Sequence, residues 1–212
     1  MSDARPFVVK IGGGLLREHG LDGLRAACAE ATELAARRPV LVVPGGGPFA
    51  DAVRAVDARA GLSEAVAHRL ALRAMDQLGV VLRGLVPLAR TQSELAAPDG
   101  LALLVATPAF EGRPGVPESW EVTSDSLAVL AAGAIGAEQV VLLKPVAGVL
   151  PRWPSEDAPL AELTVAELRA LHARGEGRAV DAYLPEAVSI TGLTVVVRRP
   201  DAAQRGTRIT PG

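Results

Sequence analysis

Lysine is almost missing from this chain: of its 22 basic residues only two, Lys10 and Lys144, are lysine, and the rest are arginine. Cysteine is rarer still. The single Cys28 excludes an internal disulfide and a cysteine-rich zinc site. It sits in an Ala/Leu-rich helical pattern and reads as a buried structural thiol. Aromatic residues make up 3% of a chain that is 49% hydrophobic, so the core must be built from Ala, Val and Leu, which suits helices packed closely on a sheet. Charge of one sign is also lacking. The formal net charge is −2, and the arginines are interleaved with acids, so nothing marks a nucleic-acid surface. No apolar run approaches the about 18 residues that a membrane helix needs. The opening MSDARPFVVK lacks the basic-then-apolar pattern of a leader. A cytoplasmic protein without a membrane partner is expected, as one domain over 1–212, because no repeat, linker or composition shift divides the chain.

Short apolar runs alternate with helical spacing. PFVVKI (6–11) and VLVVP (40–44) read as buried parallel strands, as do GLVPLA (84–89), LALLVATP (101–108), QVVLLKP (139–145) and TVVVRR (194–199), with a short terminal strand in RGTRI (205–209). Helices are expected over 21–38, from Pro48 to about Asp57, after Ser63, from TSDS onward, and over 164–175. Loops are expected over 111–120 and 146–159. Alternating strands and helices predict an α/β fold with a mainly parallel sheet covered by helices on both faces.

In such sheets ligands bind beyond the carboxyl ends of the strands. KIGGG closes the first strand, and PGGGP follows the second. Glycine lets backbone N–H groups approach an anion, and a following helix N-terminus adds a favourable dipole. One such loop also reads as a plain tight turn. Neither is G-x-G-x-x-G, and no G-x-x-x-x-G-K-[ST] occurs, so a dinucleotide dehydrogenase and a P-loop enzyme are disfavoured. The two lysines lie beside these loops. Either they are strand-end lysines that snorkel to solvent, or their compact charges neutralise a phosphoryl group in transfer. Asp125, in TSDS, either caps a helix with Ser124 or pairs with the lysines or holds Mg²⁺ through water. The three histidines show no ligand spacing: His19 and His172 read as solvated, and His68 as solvated or packed. Its neighbour Arg69, or Arg73, is placed to meet an acceptor phosphate.

The ordered motifs K-x-G-G, V-P-G-G-G, T-S-D-S and L-L-K resemble the amino acid kinase superfamily, and the terminal RGTRI is similar to its closing segment. The resemblance runs from about residue 6 to 210. It implies a three-layer αβα sandwich that transfers the γ-phosphoryl of ATP, with Mg²⁺, to a carboxylate or phosphate. It implies that Lys10 and Lys144 stabilise the phosphoryl group and that Asp125 orients them. Gly12, Gly13, Gly14 and Ser124 would then face the ATP phosphates. Gly45, Gly46, Gly47 and Arg69 would face the acceptor, with no dedicated protein metal site, and a homodimer or larger assembly is expected. The segments PGGGPFADAVRAVDARAGLSEAVAHRLALRAMDQLG and AVDAYLPEAV resemble a short branch typified by the (5-aminomethyl-furan-3-yl)methyl phosphate kinase of methanofuran synthesis, which converts a monophosphate to a diphosphate. Two departures stand out: Ala147 replaces an acid frequent in the family, and no lysine follows residue 144. The retained lysines and Asp125 favour the enzyme; the loss of the acid at Ala147 favours an alternative, a non-catalytic nucleotide- or oxyanion-binding or storage protein, with a pseudoenzyme subunit on the same fold as a third reading.

Overall fold

Phe7–Ile11 forms β1 and Val40–Pro44 forms β2, both apolar throughout except for Lys10. The computed structural model describes residues 4–86, 89–152, 157–200 and 206–212. In chain order its elements are β1, α1 (Gly14–Ala35), β2, α2 (Gly47–Ala60), α3 (Glu64–Leu85), β3 (Arg90–Gln92), β4 (Leu101–Leu104) and α4 (Ala106–Phe110). They continue with α5 (Ser124–Ala134), β5 (Gln139–Leu143), β6 (Glu162–Thr164), α6 (Val165–Ala173), α7 (Leu184–Thr191), β7 (Val195–Arg198) and β8 (Thr207–Thr210). The strands form one sheet in the order β3-β4-β2-β1-β5-β7-β8-β6. All neighbours are parallel except β7 and β8.

Side chains alternate across the sheet with the strand period of two. Val8, Leu41, Val43, Val140 and Leu142 pack with α5, α7 and the N-terminal half of α3. Val9, Ile11, Val42, Val141 and Leu143 pack on the other face, with α1 and the C-terminal half of α3. Helices therefore cover both faces, giving the three-layer αβα sandwich. The same alternation places Lys10 on the face of Val8, beneath α5. β1 lies between β2 and β5, so the loops after these three strands emerge side by side.

The chain departs from its sequence pattern in several places. The first helix starts at Gly14, ahead of the expected residue 21, and passes a break at Gly20, where φ is 60° and ψ −150°. Only glycine adopts that conformation cheaply. The strand expected over 84–89 is absent from its described part: Leu85 extends the apolar stripe of α3, and the helix stops at Val86, before a proline. The strand comes later, as the polar edge β3. The strand expected over 101–108 ends at Leu104, because the Asp76 carboxylate accepts from the amides of Ala106 (2.6 Å) and Thr107 (3.3 Å) and starts α4 there. β6 and α7 have no counterpart among the expected elements. Residues 153–156 of the expected loop and Arg205 of RGTRI lie outside the described residues. Thr207, fully buried, donates to the Leu160 carbonyl (2.6 Å) and accepts from the Val149 amide (2.8 Å), tying β8 to the loop after β5.

Candidate active site

The loops after β1, β2 and β5, together with the start of α5, surround a cavity of about 400 Å³. Its floor is an ion cluster. Lys10, 4% exposed, places Nζ 2.8 Å from Oδ1 of Asp125, and Lys144 donates from Nζ to Oδ2 at 2.5 Å. The Lys10 contact is a close, buried ion pair. Lys144 also donates to the Ala179 carbonyl. Burial acts to raise the Asp125 carboxyl, but the Lys10 and Lys144 charges outweigh it and hold the group at about 2. Burial lowers Lys10, with the neighbouring Lys144 charge adding to it and Asp125 opposing. One carboxylate thus holds two ammonium groups at the cavity floor, one from β1 and one from the residue that follows β5.

The two glycine loops interlock above this cluster. A Cβ on Gly13 would lie 2.1 Å from the backbone of Gly47, and one on Gly45 would lie 2.7 Å from the Gly13 amide nitrogen. Gly47 has φ +55° and sits against Gly13. No side chain fits between the loops at Gly13. Gly12, Gly13, Gly14, Gly46 and Gly47 line the cavity. The amide of Gly12 is not free for a phosphate, as it donates to the Leu143 carbonyl at 2.8 Å, and that of Gly45 donates to Ile11 at 2.9 Å. The amides of Gly13 and Gly46 donate to no backbone acceptor among the described residues. Both are N-caps, of α1 and α2, and neither helix has a side-chain cap.

Ser124 and Asp125 open α5 and line the cavity, but neither caps it. Asp181 does so, accepting from the amides of Thr123 (2.9 Å) and Ser126 (3.0 Å) and from both hydroxyls. Burial and the Asp125 charge push the Asp181 carboxyl up, against these hydrogen bonds. By fixing the first turn of α5, Asp181 fixes Asp125. Sequence reasoning missed it; its only sign was its place in AVDAYLPEAV.

Arg69 differs from expectation. It does not line the cavity; it turns outward, 3.7 Å from Glu111 and 3.9 Å from Glu118, while Arg73 approaches Glu111 at 3.4 Å. A single step along the helix decides this: His68, Ala71, Leu72 and Met75 form the face of α3 toward the cavity, and Arg69, rotated by about 100°, lies off that face. His68 is buried, which takes the packed one of its two readings, and His172, read as solvated, is half-buried near the Gly177 carbonyl. At the rim, Asp51 pairs with Arg17 (3.1 Å) and Arg54 (3.0 Å), and Arg54 lies over the Trp120 ring. Trp120 Nε1 donates to Asp57 at 2.7 Å. Arg178 also lines the cavity. No three metal-ligating side chains cluster among the described residues.

The amino acid kinase family model matches residues 5–101 and 89–192. The chain belongs to the amino acid kinase family. Its ion cluster and paired glycine loops are thus features of a family member, and the comparisons support an enzyme of the phosphotransferase class. A curated relative, the [5-(aminomethyl)furan-3-yl]methyl phosphate kinase of Methanocaldococcus jannaschii, is 28% identical over 152 residues, which is 69% of each chain. Among solved structures, uridylate kinase from Archaeoglobus fulgidus superposes with a TM-score of 0.72 at 19% identity, covering 96% of this family member and 99% of that chain. Aspartate kinase from Synechocystis gives 0.74 at 18% identity, covering 98% of this chain but 40% of that one. These structures share the fold. No described helix is long and apolar enough to cross a membrane.

Proposed function

We propose that this kinase transfers the γ-phosphoryl group of ATP to the phosphate of a small acceptor, with [5-(aminomethyl)furan-3-yl]methyl phosphate as the best candidate and its diphosphate as product. The Lys10–Asp125–Lys144 cluster carries the reading. In the transfer, the bond from the γ-phosphorus to the bridging oxygen breaks, ADP leaves with that oxygen, and an acceptor phosphate oxygen bonds to phosphorus. Charge spreads over the transferred oxygens, so positioned cations do most of the work. Lys10 and Lys144 supply two, anchored by one carboxylate so that neither must move.

Acid–base chemistry points the same way. A carboxyl held at about 2 and occupied by two ammonium groups is a poor general base. An acceptor phosphate is already anionic near neutral pH and needs none. A hydroxyl acceptor would need one. The amides of Gly13 and Gly46, at the starts of α1 and α2, are placed to receive phosphate oxygens. Mg²⁺, when bound, would neutralise the nucleotide phosphates. With no cluster of carboxylates on the described chain to hold it, it would arrive with the nucleotide and keep its waters. Ala147 in place of an acid favours the second reading, a binder that does not turn over. A cytoplasmic homo-oligomer, at least a dimer, goes with the kinase reading, and light scattering tests the assembly.

The experiment is ADP release from Mg²⁺-ATP with the furan phosphate, UMP, isopentenyl phosphate, acetylglutamate and aspartate as separate acceptors. Turnover with the furan phosphate alone is the expected result. Turnover with a different acceptor would replace the substrate, and ATP binding without turnover on any acceptor would favour the binder.

A further inference from the structure

His68 is 4% exposed, and its Nε2 has no hydrogen-bond partner. On the cavity wall Asp125 Oδ1 also lacks a hydrogen-bond partner but has the Lys10 ammonium 2.8 Å away, whereas His68 makes no ion pair among the described residues. Most buried polar atoms in folded proteins are satisfied, so one left open on a cavity wall asks for a reason. Around it the wall is apolar: Leu72 and Met75 lie on the same face of α3, Trp120 and Val122 come from the loop before α5, and Leu127 from α5 itself. This half of the cavity is unlike the floor, where Lys10 and Lys144 form ion pairs with Asp125.

The protonation of His68 determines what it asks for. Burial lowers its pKa, against the Glu118 charge and a hydrogen bond to the backbone of Ser119, so the ring is neutral near neutral pH. A neutral imidazole carries one N–H. The Ser119 backbone takes up the ring's N–H and Nε2 has no partner, which assigns the bare lone pair to Nε2. Such an acceptor, walled by hydrocarbon, has no water-like alternative and selects a ligand that brings a donor.

We infer that His68 is a specificity-determining residue whose Nε2 accepts a hydrogen bond from an amine or hydroxyl of the acceptor substrate, at the end remote from its phosphate. This rests on the reading of the cavity as a kinase site and adds a requirement to it. The substrate is a small, largely apolar phosphate monoester with a donor group, preferably an ammonium, which the nearby Glu118 charge also favours. A substrate lacking the donor leaves Nε2 unsatisfied, and sites of this kind reject such analogues strongly.

The test compares two probes by calorimetry: [5-(aminomethyl)furan-3-yl]methyl phosphate and (5-methylfuran-3-yl)methyl phosphate, which lacks the amine. The wild-type chain is expected to bind the amine-bearing probe about tenfold more tightly or better. His68→Leu should bring the two probes within about twofold, and retained binding of a non-hydrolysable ATP analogue shows that the fold survives the change. His68→Gln, which keeps an acceptor atom, should retain part of the preference and guards against a folding defect in the leucine variant. Equal wild-type affinity for the two probes, a preference that survives His68→Leu, or binding of neither probe by a chain that binds the ATP analogue would overturn the inference. ADP release is measured in parallel. A preference without turnover would defeat the kinase reading and leave the His68 assignment standing.

Discussion

Helices α1 and α6 begin in opposite ways. α6 opens on a complete capping box: the Thr164 hydroxyl accepts from the Glu167 amide at 3.2 Å, and the Glu167 carboxylate accepts from the Thr164 amide at 2.8 Å. α1 opens on Gly13 with no side-chain cap at all, and α2 does the same on Gly46. α5 lies between these extremes, because its cap comes from Asp181, 58 residues along from Thr123. A helix start that satisfies its own amides is finished as structure. One left open, at the edge of a cavity with two ammonium groups in its floor, is completed only by an anion from outside. α3 and α7 also lack side-chain caps, so it is the position of the α1 and α2 starts on the cavity that separates site from scaffold.

The contrast is most easily broken at Gly13. A Cβ there would meet the Gly47 backbone at 2.1 Å, so Gly13→Ala must push the two open helix starts apart. Turnover should fall by about 100-fold or more, since displacements of about 1 Å in a positioned site cost that much. Steady-state kinetics with circular dichroism as a folding control would show it. Turnover near the wild-type rate would mean the loops do not hold phosphate. Next comes Lys10→Arg, which keeps the charge but replaces a point-like ammonium with a planar fork. The site holds Nζ 2.8 Å from Asp125, and turnover should drop about tenfold or more. A wild-type rate would remove Lys10 from the chemistry.

An acid titration sharpens the same contrast through stability. Asp125 is held at about 2, below its ordinary 3.8. Its charged form therefore stabilises the folded chain fully above pH 3.8, and that contribution is lost as pH falls through about 2. Urea midpoints should decline over this window more steeply for the wild type than for Asp125→Asn, and parallel curves would mean that the carboxylate is not held by the lysines. The smallest effect belongs to the closed helix start. Thr164→Ala should cost about 1 kcal/mol of stability by thermal or urea unfolding. Turnover should not change, because residue 164 is far from the glycine loops in the sheet order.

What the sequence revealed follows from where information is local. β1, β2 and β5 were readable because each is a continuous apolar run between breakers. β3 and β6 were not, since RTQ and ELT are short, largely polar edge strands with no pattern to see. Leu85 was assigned to a strand because an apolar run beside a proline looks the same at a helix end. In the site, the motifs Lys10, Asp125 and Lys144 fall next to strand and helix ends, and the fold does bring these three side chains together. Asp181 was missed, and His68 was left between solvent and packing, because their surroundings come from distant segments: Asp181 meets the start of α5, and His68 lines the same cavity as Trp120. Arg69 was misplaced by a rotation of about 100° per residue around α3, which decides between cavity and solvent.

The scarcity of lysine has a chemical consequence. Reagents that acylate or condense with primary amines would find only two side-chain targets on the whole chain, and both line one cavity. The reaction requires the neutral amine, and burial already biases Lys10 toward that form. Apart from the chain's α-amine, a general amine label therefore reaches side chains in this cavity alone: the fraction of each lysine modified, read by mass spectrometry, becomes a gauge of how much of the cavity is filled.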